Sequence, residues 1–159
     1  MDWKINMKLS ANFTLEELTK SQTASRKGIP NNPKSSQIDN LKDLCTNVLQ
    51  PIRSHFGQPV TISSGFRSGE LCVAIGSKIT SQHTQGQAVD FEIIGMDNKE
   101  LADWIIDNIE SYDQLILEYY EGGNSGWIHI SYVNEKKNRK INLKAVRDDD
   151  TQKTNYIPY

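Results

Sequence analysis

Apolar residues recur at spacings of three and four through Ile38, Leu41, Leu44, Cys45, Val48, Leu49, Ile52 and Phe56. That period predicts one long helix over about 35–56, with the apolar stripe turned to the core. Gly57 and Pro59 stop it. An earlier helix is announced by Phe13-Thr14-Leu15-Glu16-Glu17-Leu18. Thr14 is a capping residue, Glu17 completes a capping box, and Phe13 with Leu18 forms a hydrophobic staple. This helix is expected to run to the turn cluster at 28–33. A short helix from Ser68 to Ile75 follows the β-rich run Val60-Thr61-Ile62, and a further helix is predicted over 97–109. Period-two alternation predicts strands over 88–93, 112–118 and 127–133. Residues 140–146 are read as an edge strand, and Arg147-Asp148-Asp149-Asp150 as a solvated loop. Helices come first and strands gather later, which predicts an α+β fold with a mainly antiparallel sheet.

Alternation also assigns faces. Val89, Phe91 and Ile93 share one side of their strand, so Asp90 points to the other. Ile128 and Ile130 oppose His129, and Leu115 and Leu117 oppose Glu118. If the three strands pair, Asp90, His129 and Glu118 share one sheet face, and His83 arrives from the loop just before the first strand.

Composition narrows the setting. The chain of 159 residues is the size of one domain, and a formal net charge of −2 gives no electrostatic case for nucleic acid. Its two cysteines, Cys45 and Cys72, form no CxxC pair, so no disulfide framework is expected. No stretch approaches a membrane span, and Met1 to Leu9 lacks the apolar run of a signal peptide. The protein is therefore expected to be a monomer, cytoplasmic on synthesis and not inserted in a membrane.

Of three histidines, His55 falls at a helix end, where the dipole favours it. His83, Asp90 and His129 make the three-ligand set of a zinc site with an open fourth position. Glu118 on the same face is placed to accept a proton from water and pass it to a leaving amine.

Ser81-Gln82-His83-Thr84-Gln85-Gly86-Gln87-Ala88-Val89-Asp90 and Trp127-Ile128-His129-Ile130-Ser131 resemble the SxHxxGxAxD and WxHxS signatures of the D-alanyl-D-alanine carboxypeptidase family of zinc peptidases. The VanY- and VanX-type enzymes, phage L-alanyl-D-glutamate endopeptidases and the hedgehog domain share that fold. Phe13 to Leu18, Ile29-Pro30-Asn31, Ile62 to Ser68 and Asp113-Gln114-Leu115-Ile116 extend the likeness to the small phage-type branch, over about 12–133. The resemblance implies a single peptidase domain of hedgehog/DD-peptidase type, followed by a charged extension over 134–159. It implies one zinc on His83, Asp90 and His129, a peptidoglycan stem peptide as substrate, and action on the cell wall after release or from a phage particle. Cleavage as a D-Ala-D-Ala carboxypeptidase or as an L-Ala-D-Glu endopeptidase both fit.

Arg67 resembles the arginine that binds and polarises substrate; the plainer reading is a surface salt bridge. Many relatives place the catalytic Glu three residues before the second His, where this chain has Gly126. Glu118 matches the hedgehog-like placement, and Glu121 in the Gly-rich turn is its rival. Ser81 binds substrate or steadies the loop, Trp127 floors the cleft or packs the strand, and Gln85 and Gly86 are structural. A zinc-containing binding module without turnover, or a virion component, is the alternative to an enzyme.

Overall fold

The computed structural model describes residues 7–159; the first six, part of the stretch read for a signal peptide, lie outside them. A two-stranded ribbon, β1 (Lys8–Ser10) and β2 (Phe13–Thr14), leads into α1 (Leu15–Thr19). The Thr14 hydroxyl accepts from the Glu17 N–H at 3.3 Å, as the capping signature predicts. The helix does not continue to the turn cluster. It breaks at Lys20, and α2 (Gln22–Lys27) restarts under a new cap from Ser21. Two side chains account for the break. Thr19 donates back to the Leu15 carbonyl at 2.8 Å, and Asn31 takes the Thr19 carbonyl at 2.7 Å.

The long helical stretch is present but not uniform. It comprises α3 (Ser35–Leu44), a π turn (Cys45–Leu49) and α4 (Gln50–Phe56). In the π turn, Gln50 N–H donates to the Cys45 carbonyl five residues back. Pro51 explains the widening. It has no N–H, and its ring would crowd the carbonyl four residues earlier in a regular α-helix. The apolar stripe still reaches the core, where Leu41, Leu44, Cys45, Val48, Leu49 and Ile52 are fully buried.

The main sheet has six strands: β3 (Thr61–Ser64), β4 (Ala88–Glu92), β5 (Gln114–Glu118), β6 (Trp127–Ser131), β7 (Ile141–Arg147) and β8 (Thr154–Pro158), in the order β3-β4-β6-β5-β7-β8. Its pairings are antiparallel except for β5 with β7. The fold is α+β with a mainly antiparallel sheet. Two further helices flank the strands: α5 (Gly69–Ala74), capped by Ser68, and α6 (Asn98–Asn108), capped by Asp97. One face of the sheet, with Val89, Phe91, Leu115, Leu117, Ile128 and Ile130, joins the helices in the apolar core. The other face carries Asp90, His129 and Glu118.

The strand predicted at 140–146 is not at the edge. β7 lies between β5 and β8, and β8 is the edge strand. Arg147 closes β7 rather than opening a loop, and the turn begins at Asp148. β8 went unpredicted because its polar residues and terminal Pro158 mask the alternation; proline is tolerated at an edge, where no ladder bond is lost. Ala145 of β7 is fully buried, so the segment after 133 belongs to the sheet.

Candidate metal centre

Strand register brings the site together. Asp90 pairs with His129 across β4 and β6, Ile116 pairs with His129 across β5 and β6, and Glu118 pairs with Trp127. The pairing that the alternation required is therefore present. His83 sits on a short 3₁₀ turn, Gln82–Gln85, whose cap is Ser81. The Ser81 hydroxyl accepts from the His83 N–H at 3.2 Å. The long helix grips the far side of this turn: Gln37 donates to the Thr84 carbonyl at 3.0 Å and Asn40 to the Gln85 carbonyl at 2.8 Å. Gly86 ends the turn with φ of 73°, and a Cβ there would meet the Gln37 carbonyl oxygen at 2.5 Å. Both facts require glycine.

His83 is buried, and its Nδ1 lies 2.7 Å from the Gly65 carbonyl oxygen. A carbonyl only accepts, so Nδ1 carries a proton, and Nε2 is the ring atom turned toward Asp90. That Nε2 lies 3.6 Å from Asp90 Oδ1, and His129 Nδ1 lies 2.9 Å from the same oxygen. One ligand atom from each of the three residues falls within 4.8 Å of the others. Asp90 Oδ2 accepts from Arg67 Nη2 at 3.2 Å, while Arg67 Nε donates to Ser64 Oγ at 2.8 Å. The Arg67 N–H also donates to the His83 carbonyl at 3.1 Å. Burial alone would raise the Asp90 carboxyl, but the hydrogen bond with His129 and the closeness of the His83 ring hold it well below the usual range.

A cavity of about 760 Å³ opens over these groups. Arg67, Ser81, Glu118 and Trp127 all line it, beside His83, Asp90 and His129. The structure thus gathers the three ligand candidates with Glu118, Arg67, Ser81 and Trp127, and leaves out the rival base Glu121. Glu118 is half-buried; burial raises its carboxyl above the ordinary glutamate value, Asp90 adds to the rise and His129 opposes it. Glu121 is exposed in the turn after β5 and does not line the cavity. Gly126 has φ of 68°, and a Cβ there would collide with the Glu118 carbonyl oxygen. No glutamate fits at that position without moving the strand that carries Glu118.

A family model described as Peptidase M15 matches residues 11–131. The chain belongs to the peptidase M15 family. This is the family of D-Ala-D-Ala carboxypeptidases and VanX-like zinc peptidases, so the chain is a peptidase by family. No curated protein matches the chain at a significant level. M15 peptidases are zinc-dependent, and the donors here fit that ion. Two imidazoles and one carboxylate converge, Gly65 fixes the His83 tautomer, and Arg67 orients the Asp90 carboxylate. β7 and β8 lie beyond the M15 match, yet Leu143 and Tyr156 from them line the same cavity.

Sequence reasoning missed several supports of the M15 site. Gln82 donates to Asp113 Oδ2 at 2.9 Å, and Arg139 donates to both Asp113 oxygens at 2.9 Å. Asp113 is buried, so it joins the loop of His83 to the segment before β7. Its only sequence signal was its place in the family-like motif Asp113-Gln114-Leu115-Ile116. Asn98, fully buried, donates to the carbonyls of Ser125 at 3.0 Å and Gly126 at 3.1 Å and so pins the turn between β5 and β6. A lone Asn near a helix start carries no signal of that kind.

Proposed function

We propose that this M15 chain is a zinc peptidase that hydrolyses peptide bonds in bacterial peptidoglycan stem peptides, with the ion held by His83, Asp90 and His129. The observation that carries the reading is the convergence of those three side chains on one cavity wall, with Glu118 lining the same cavity. Bound zinc supplies Lewis acidity to a peptide carbonyl and to water. Glu118 accepts the proton of the attacking water and delivers it to the leaving nitrogen. Its burial and raised carboxyl suit that exchange, because a base works best when its affinity for protons lies nearer the working pH. Arg67 orients Asp90 and offers the rest of its planar fork to a substrate carboxylate or to the charge growing on the carbonyl oxygen. Ser81 holds the His83 loop and borders the cleft, and Trp127 floors it.

The choice of peptidoglycan rests on the M15 membership and on the likeness to cell-wall peptidases. Carboxypeptidase and endopeptidase action both suit the cavity. Action follows release to the cell wall or delivery in a phage particle; among the described residues no helix is long and apolar enough to cross a membrane. Mass spectrometry of purified peptidoglycan after incubation tests the reading. New peptide termini that vanish with a zinc chelator are expected. Intact peptides beside a fully zinc-loaded protein would favour a binding module.

A further inference from the structure

The family match ends at 131, but the cleft does not. Its remaining wall comes from the β7–β8 hairpin. Register places Glu118 beside Ala145 of β7, and Ala145 beside Tyr156 of β8. The three therefore lie in one row on the site face of the sheet. Adjacent strands are about 4.8 Å apart, so Tyr156 starts about 10 Å from Glu118 with only an alanine methyl between them. One row down, Ile116 stands beside Leu143, and both line the cavity together with Tyr156. Tyr156 is 57% exposed, so most of its ring is open to a ligand in the cavity that it lines. Its hydroxyl is raised by burial first and then by the charge of Glu118, which agrees with a ring turned toward that carboxylate.

The hairpin is anchored where it meets the site. Tyr119, the residue after Glu118, adopts φ of 52°, which non-glycine residues seldom do. Three contacts with the hairpin hold it there. Its N–H donates to the Ala145 carbonyl at 2.9 Å, its hydroxyl bonds Thr154 Oγ1 at 2.5 Å, and Arg147 lies over its ring at 5.3 Å. Its other side meets Trp127, with ring centres 5.5 Å apart. The exposed Tyr156 ring therefore stands on a fixed platform rather than on a loose tail.

We infer that Tyr156 is a specificity-determining residue: with Ile116 and Leu143 it forms an apolar subsite for an aliphatic side chain flanking the cleaved bond. The inference rests on the hydrolase reading above. Arg67 follows β3, at the opposite edge of the sheet from β8, so the cleft has a cation on one side and apolar groups on the hairpin side. A substrate with an alkyl group at the hairpin end covers the exposed ring; a carboxylate there meets Glu118 and is repelled.

Steady-state kinetics on stem-peptide analogues, with alanine, leucine or aspartate on either side of the cleaved bond, test the subsite. Tyr156→Ser is expected to raise KM for the best aliphatic substrate about tenfold or more, leave kcat within about twofold, and blunt the preference over aspartate. Tyr156→Phe keeps the ring and is expected to match wild type. Melting temperature and zinc content of each variant guard against unfolding, and Tyr156→Thr is an alternative truncation if the serine variant fails to fold. Unchanged kcat/KM in both truncated variants overturns the subsite, as does a loss confined to kcat. Calorimetric Kd values for the same peptides separate the two claims. A wild type that binds but never cleaves defeats the hydrolase reading, and the Kd ratios between variants then decide the subsite. A wild type that neither binds nor cleaves overturns both.

Discussion

Asp90 holds its two carboxylate oxygens in different company. Oδ1 faces both histidines, and Oδ2 is taken by Arg67, which is itself braced on Ser64. The salt bridge expected of Arg67 in its plainer reading is thus present, but it is part-buried and made to Asp90. Lysine presents a single charged point and cannot span Ser64 and Asp90 together. Arg67→Lys is expected to weaken zinc affinity by about 10-fold or more, as loss of an orienting partner typically does, and to slow hydrolysis with it. A competitive chelator titration checks this; affinity and kcat/KM both within about twofold of wild type would return Arg67 to an incidental role. For Glu118, the substitution to Gln keeps size and one acceptor but cannot take a proton. Hydrolysis is expected to fall at least about 100-fold with zinc content and melting temperature unchanged. Glu121→Gln, in the exposed turn, is expected to lose little in the same assay.

Among the elements, the strands around the site were legible because alternation is a strict period of two. Val89 and Phe91 had to be inside, so Asp90 had to be outside, and β6 and β5 followed the same logic. The helices were legible in place but not in regularity. The break at Lys20 depends on Asn31, twelve residues beyond Thr19, and the π turn on the clash that Pro51 would cause. Neither appears in an apolar period. β8 was hidden for a third reason: it is an edge, mostly exposed, and pairs with β7 through backbone bonds that side-chain pattern does not record. The turn between β5 and β6 carries its own test. At Gly126 an added side chain meets both a positive φ and the Glu118 carbonyl, so Gly126→Ala is expected to cost about 1–3 kcal/mol in urea unfolding. A double variant combining Glu118→Gln with Gly126→Glu, which copies the arrangement of many relatives, is expected to remain inactive. Recovery of even a tenth of wild-type activity would show that the strand can shift to accept it.

Across the whole molecule, Asp113 ties the His83 loop to the segment that leads into β7. Hydrogen bonds from Arg139 lead the forces that hold its carboxyl below the usual value; burial opposes them and Gln82 adds to them. A depressed folded pKa contributes stability above the unfolded carboxylate value, and that stability is lost as pH falls through the folded pKa. Asp113→Asn is therefore expected to unfold at lower urea than wild type at pH 7, with the gap closing as pH falls below about 4. A gap that persisted or widened in acid would assign the loss to packing instead. The same bonds link the segment before β7 to the His83 loop, so the two are expected to melt together. The metal itself is the most direct point of attack. Protein stripped with a chelator and then titrated with zinc, while hydrolysis of a stem peptide is followed, is expected to regain activity linearly and to saturate at about one equivalent per chain. Full activity in the stripped protein, or full zinc occupancy with no hydrolysis, would contradict the assignment of His83, Asp90 and His129 as a catalytic zinc centre.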